Sequence, residues 1–354
     1  MNKTEMSEEE QESSLQDLNN NELDKLIPAV IFLSVISLTG IVGNSLVIHI
    51  YRTRFKFSNV QCFVLTLAAI DLCSCCVAIP LEIVTVLDQF TFEPGWLCKL
   101  ARFINGVCTN ASTFMLIMIA VDRFRKILKP FEWQIKASVA KMLCVASVIL
   151  ATMVSWPAIA IYGKDTFDIP KFNLTGSECG TDNNVKDTSF PVVYTLTLAI
   201  LFISSVIILV ILYCMIGNKV RSHVRNMKDG LGKAGSQAYT RNQQTAKRTT
   251  FVMFLVTIAF ICSFLPHLIV RQFKSKFTAD GSSSGSEGVY KILTRSYFLN
   301  CAVNPIIYSI FDSRFRRACK RKSSGELTSD SQTHVQRLTQ IPKDTCVISK
   351  ITPS

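Results

Sequence analysis

The sequence predicts an all-α membrane protein, a seven-transmembrane helix bundle followed by a short amphipathic eighth helix. Three observations predict it. Apolar residues make up 49% of the 354, and they gather into seven blocks instead of spreading evenly. Most of these blocks reach the roughly 20 residues that cross a bilayer. The basic residues behind a net charge of +12 collect in alternate connections between the blocks. A soluble chain of this length would carry more than 18% charged residues, and the mean hydropathy of +0.30 points the same way.

In chain order the blocks are Leu26–Tyr51, Val60–Leu87, Phe103–Val121, Met142–Gly163, Phe190–Asn218, Thr249–Val270 and about Val289–Phe311. The first, third, fourth, fifth and sixth contain no Lys, Arg, Asp or Glu. The second holds Asp71 and Glu82, and the seventh is the weakest, with Lys291 and Arg295 near its start. No strand alternation competes over such lengths, and a spanning segment must satisfy its own backbone, so each block reads as a helix. A soluble helical bundle would show a polar face on each helix, and these blocks show none. The bundle thus occupies 27–311, after a tail over 1–26 that holds eight acids and two lysines before Leu26. That acidic start is the opposite of a cleavable signal, so the first span is expected to drive insertion.

Orientation follows from the basic residues. Arg52, Arg54 and Lys56 follow the first span. Arg125, Lys126, Lys129, Lys136 and Lys141 follow the third, eight basic residues lie in Lys219–Arg248, and six from Arg314 to Lys322 follow the seventh. The positive-inside rule therefore puts the N-terminal tail outside the cell and the C-terminus in the cytosol, at the plasma membrane. The charge suits an anionic inner leaflet and not a nucleic acid, and no Gly-rich phosphate loop or zinc spacing supports an enzyme.

Of thirteen cysteines, nine lie within or at the ends of spans and two in the cytosolic tail. Only Cys98 and Cys179 lie outside, where thiols oxidise, so they are expected to form a disulfide. Cys73, Cys75 and Cys76 suggest a metal cluster at first sight, but on a spanning helix they read as small core residues. Asn2 and Asn173 head sequons on the predicted outside. Residues 312–320 read as an amphipathic helix along the inner face, with Phe311 and Phe315 on one side and Arg314, Arg316 and Arg317 toward headgroups. Cys319 is a candidate palmitoyl acceptor. The tail over 321–354 is rich in Ser and Thr and lacks a core pattern, so it reads as a disordered platform for kinases and arrestin.

The motifs narrow the choice among seven-helix proteins. They are Gly43-Asn44, the run Leu67 to Asp71, Asp122-Arg123-Phe124 some 25 residues after Cys98, Phe260, Phe264 and Pro266, and Asn300 with Asn304-Pro305-Ile306-Ile307-Tyr308. In identity, helix and order they resemble the rhodopsin-like (class A) G-protein-coupled receptors, from Ile27 to Cys319. The chain departs from the family pattern at Phe124, where Tyr is usual, and at Phe264, where the toggle aromatic is usually Trp. It also lacks the usual helix-four Trp and carries Ser205 where helix five usually has Pro.

The resemblance implies roles. Asp71, Ser112, Asn300 and Asn304, with Asn44 nearby, match the oxygens around an allosteric sodium ion, the one metal expected. Asp122 pins Arg123 at rest, and Arg123 is released to meet a heterotrimeric G protein. The acid that holds this Arg from helix six in many relatives is replaced by Ala246, so the clamp is expected to be loose. Tyr213 and Tyr308 stabilise the opened state, and Pro266 and Pro305 each remove a backbone hydrogen bond and give helices six and seven a place to bend.

Several ligand classes are excluded by the same matching. Phe298 stands where retinal binding needs Lys, and Asn105 where amine receptors carry Asp. The long loop over 164–188, tied by Cys179, and Pro80 fit a receptor for a neuropeptide or peptide hormone. A lipid or nucleotide ligand is the alternative. A transporter or channel would line a mid-membrane path with charges, and only Asp71 lies deep. Matched pocket positions are Glu82, Asn105, Thr109, His267, Arg271, Tyr290 and Thr294, with Glu82 expected to anchor a ligand cation and Arg271 an anion.

Overall fold

A computed structural model describes residues 8–55, 57–170, 172–229, 237–272 and 284–323. Six helices are long and apolar enough to cross a membrane: Leu23–Arg54, Asn59–Leu87, Gly95–Leu128, Ala137–Ile161, Phe190–Ser222 and Arg248–Val270. The seventh span is broken. It runs as Ser284–Leu293, a 3-10 turn over Ser296–Phe298, and Leu299–Phe311. The interruption follows Lys291, contains Arg295 and ends before Asn300, where the apolar pattern was weakest.

The first span shows what solvent these helices expect. Leu26, Ala29, Leu33, Ile36, Gly40, Asn44 and Val47 recur every three or four residues and are buried. The opposite face carries Ile31, Leu38 and Val42, which are 58%, 66% and 69% exposed. An exposed face as apolar as the buried one is stable against hydrocarbon and not against water. Trp96, Trp133 and Trp156 are all exposed near span ends, the level where amphipathic rings favour a membrane interface. The neighbouring helices approach closely. A Cβ on Gly40 would stand 2.2 Å from Cys75 Sγ, and one on Gly43 2.7 Å from Pro305.

The second span starts at Ser58, whose hydroxyl accepts the Gln61 N–H at 3.2 Å. It widens into a π-turn over Ser74–Ala78 just before Pro80. Proline has no N–H to close the preceding turn, and the helix relaxes into the wider one. Ser37 Oγ donates to the Cys75 carbonyl there at 2.8 Å. The π-turn changes which face of the helix is presented beyond it, so Asp71 below and Glu82 above meet different neighbours. In the sixth span, Ser296 Oγ donates to the Ser263 carbonyl at 2.7 Å, close to Pro266. The fifth span passes Ser205 without a break, its hydroxyl donating to the Leu201 carbonyl at 2.7 Å.

A leading helix and a hairpin were not foreseen, and the last helix differs in length. The acidic tail contains a helix, Glu8–Asn21, with Leu15 buried and Asn19 Nδ2 donating to the Leu87 carbonyl at 2.9 Å. The loop after the fourth span is an antiparallel hairpin, Tyr162–Ile169 with Leu174–Thr181, in which Lys164 faces Cys179. Asn173 turns it at φ 53, a left-handed conformation that Asn tolerates. The helix after the seventh span extends over Ser313–Ser323, longer than expected. The Asp312 carboxylate caps it by accepting the Arg314 N–H at 2.9 Å. Phe315 is buried against Tyr51 and Tyr308, while Phe311 is 40% exposed. The bundle thus has a hairpin end and, opposite it, a basic end.

Candidate functional site

Three polar layers lie along the bundle. The first is a cavity of about 300 Å³ toward the hairpin end, between the third, fifth, sixth and seventh spans. The Cys98–Cys179 disulfide, with Cα atoms 5.4 Å apart, ties the hairpin to the start of the third span above it. The hairpin is held further by Phe92 N–H donating to the Ser177 carbonyl at 3.1 Å and Ser177 N–H to that of Phe90 at 2.9 Å.

Of the expected pocket residues, Asn105, Thr109 and His267 line the cavity. Asn105 Nδ2 donates to Tyr297 Oη at 2.7 Å, and the His267 ring stands edge-on to Tyr297 with Nδ1 2.5 Å from the Thr294 carbonyl. Thr294 turns its hydroxyl to the Tyr290 carbonyl at 2.9 Å, and neither of those two residues is among the described liners. The Arg271 side chain and Asn2 lie outside the described residues.

Glu82 differs most from expectation. It is buried, and it is held by two arginines of its own chain, Arg102 Nη1 at 3.1 Å and Arg295 Nε at 2.9 Å. Arg102 Nη2 also reaches the Cys179 carbonyl at 3.5 Å, linking the triad to the disulfide. A charge in a span requires a partner, and Arg295, already conspicuous in the seventh block, was the legible candidate. Arg102 gave no comparable signal, and Glu82 does not line the cavity that Arg102 does.

The second layer surrounds Asp71, which has no exposed surface. Asn304 Nδ2 donates to Asp71 Oδ2 at 2.8 Å, and Asn44 Nδ2 donates to the Gly40 and Cys301 carbonyls at 2.9 and 2.8 Å. Three buried oxygens, Asp71 Oδ1, Asn300 Oδ1 and Asn304 Oδ1, have no hydrogen-bond partner among the described residues. Ser112 and Asn300 line a void of about 10 Å³, the size of one small particle. A buried carboxylate with unpartnered amide oxygens and a hydroxyl beside it is a hard, oxygen-only donor set, so the residues present fit a sodium ion. Among the described residues, no cluster of His, Cys, Asp and Glu suits another metal.

Phe264 lines both the void and the upper cavity, as do Asn105, Thr109 and Tyr297, so these four side chains separate the two layers. Phe264 packs on Phe260, Phe202 and Tyr297 at 4.8, 5.1 and 5.7 Å between centroids. Phe260 is fully buried, and Pro266 lies half a turn above Phe264. Movement of the ring is therefore felt on both sides.

The third layer is at the basic end. Asp122 is paired with Arg123 and accepts from Lys126 Nζ at 3.0 Å and Asn59 Nδ2 at 3.1 Å. Arg123 is buried, and Asp122 is its one ion-pair partner among the described residues. The Ala246 side chain lies outside them. Tyr213 Oη accepts from Thr257 at 3.4 Å, and the buried Tyr308 packs on Phe315, with no hydrogen-bond partner for its hydroxyl among the described residues. Pro305 lies inside the last helical stretch of the seventh span.

Asn173 stands exposed in the hairpin turn. Cys319 is half-buried on the last helix, and burial pushes its thiol pKa up.

The profile of the 7 transmembrane receptor (rhodopsin family) matches residues 43–308. Among similar proteins, neuropeptide FF receptor 2 of Rattus norvegicus is 26% identical over 78% of this chain and 67% of its own. The C3a anaphylatoxin chemotactic receptor of Danio rerio is 26% identical over 86% and 78%. The neuropeptide S receptor of Mus musculus is 27% identical over 83% and 79%.

Proposed function

The chain belongs to the rhodopsin family of 7-transmembrane receptors, and we propose that a peptide activates it from the hairpin end and a heterotrimeric G protein responds at the basic end. It is a multi-pass membrane receptor and not an enzyme. The observation that carries the peptide reading is the likeness, over about four-fifths of the chain, to receptors whose names specify a neuropeptide. A cavity under a disulfide-tied hairpin suits an extended, polar ligand that enters from above.

The N-terminal side faces outward at the plasma membrane, because the basic residues gather at the other end. Asn173 is then available for glycosylation. Cys319 lies at headgroup level as a palmitoyl acceptor, and its raised pKa keeps the thiol protonated and dependent on an acyltransferase. Kinases and arrestin act on the Ser- and Thr-rich tail beyond Ser323.

Asp71, Ser112, Asn300 and Asn304 would hold a sodium ion, which would neutralise the buried carboxylate and favour the resting state over the opened one. Such differential affinity is the only way a bound ion shifts the equilibrium. When the ligand moves Phe264, the packing above the site changes. The sixth span bends at Pro266, Arg123 leaves Asp122, and Tyr213 and Tyr308 take up the opened arrangement.

The test is a neuropeptide library applied to transfected cells, with G-protein activation as the readout. At least one peptide is expected to activate. Activation by a lipid or nucleotide with no response to any peptide would overturn the reading.

A further inference from the structure

The charge around the cavity is not what Glu82 alone suggests. Glu82 is one negative group between two positive ones, so the triad carries one net positive charge inside the bundle. The charged residue of the triad that reaches the cavity is Arg102, and among the described liners there is no Asp or Glu. Of the remaining polar liners, Asn105, Thr109, Tyr162 and Ser205 carry no charge, and His267 can add only a positive one. A guanidinium has five N–H donors in a fixed fork. Arg102 uses one toward Glu82 and one, at 3.5 Å, toward the Cys179 carbonyl. Its side chain stays 26% exposed, so donors remain for something in the cavity.

We infer that the ligand places an anionic group, a carboxylate, on Arg102, inside the cavity and beneath the disulfide. This rests on the receptor reading above but not on the ligand being a peptide. A C-terminal carboxylate, an Asp or Glu side chain, and the headgroup of a fatty acid share the chemistry. Arg102 is suited to it because the fork is already oriented by Glu82 and the hairpin, so little freedom is lost on binding. A ligand cation finds the opposite environment, since Glu82 is spent on its two arginines.

The probe is benzoate, with benzamide and benzylamine as neutral and cationic counterparts, added to the full-length protein in lipid nanodiscs while its melting temperature is followed. Benzoate is expected to raise the melting temperature saturably, and the two counterparts to do so far less. Arg102→Gln leaves Glu82 paired with Arg295 and should weaken benzoate binding roughly ten- to a hundred-fold, the range for one charge-assisted contact. Asn105→Asp, a near-isosteric change one turn along the same helix, keeps the triad and should weaken benzoate comparably while admitting benzylamine. Equal shifts with benzoate and benzamide, a stronger shift with benzylamine in the unaltered protein, or unchanged benzoate binding in both variants would each overturn the assignment. Laurate, an acetylated dipeptide with a free C-terminus and its amide carrying Asp then separate the sources of the carboxylate. A peptide library that activates nothing, beside benzoate binding lost in Arg102→Gln, would remove the peptide and keep the anion site.

Discussion

Asp71 and Glu82 lie on the same span, roughly three helical turns apart, and both are buried. Their surroundings are opposite. Glu82 is paired with two guanidinium groups and tied through Arg102 to the disulfide. Asp71 has one amide donor, and its other carboxylate oxygen has no hydrogen-bond partner among the described residues. The π-turn before Pro80 lies between them and gives the two acids different neighbours. The contrast separates two uses of buried charge. A group whose partners are built in fixes helices in place, and a group left short of partners can respond to something that arrives.

The comparison can be broken most directly at Glu82. Glu82→Ala leaves Arg102 and Arg295 facing each other without their acid, and breaking such a buried pair from one side costs about 3–5 kcal/mol. Thermal unfolding of the purified protein should show a large drop, and a drop no greater than that of an Asp71 variant would end the contrast. The next effect is the coupling between Glu82 and Arg102. A double-mutant cycle of Glu82→Gln and Arg102→Gln should give an interaction energy of about 1–3 kcal/mol, and additive effects would show that the contact is not felt.

A third acid sharpens the comparison. Asp122 keeps Lys126 and Asn59 when Arg123 is removed, so Arg123→Ala should cost only about 1 kcal/mol of stability. Ligand binding at the cell surface should persist while G-protein activation falls sharply, and normal coupling at matched expression would contradict the role given to Arg123. The smallest change in stability is expected at Asp71. Asp71→Asn keeps the side-chain shape and an oxygen that can accept from Asn304, so unfolding should shift by about 1 kcal/mol or less. The same variant should lose any dependence of agonist affinity on sodium, and an unchanged sodium effect would rule out the ion site.

The spans were legible because a bilayer imposes a length and a composition that no other environment asks for, and Leu26–Tyr51 or Phe190–Asn218 carry no Lys, Arg, Asp or Glu. The burial of Asn44, Asp71, Asn300 and Asn304 was legible too, since each stands at a motif position, whereas Ser112 entered only through the resemblance. The Glu82 triad was half legible. A lone acid in a span calls for a cation, but which one depends on how the third and seventh spans rotate, and short-range pattern does not encode that. The hairpin and the leading helix were missed for a related reason. Both sit at the surface, and the hairpin is fastened to the bundle by Cys98 and by the Phe90 and Phe92 backbone, which are distant in sequence.

The placement of the aromatic rings has an optical consequence. The three tryptophans, Trp96, Trp133 and Trp156, are 68%, 57% and 60% exposed, all near the ends of spans. Tryptophan emission from the unaltered protein therefore reports on its outer layers. Replacing Phe264 by the indole usual in the family would put the chain's one interior tryptophan between the cavity and the Asp71 layer, where its colour would register whatever happens on either side.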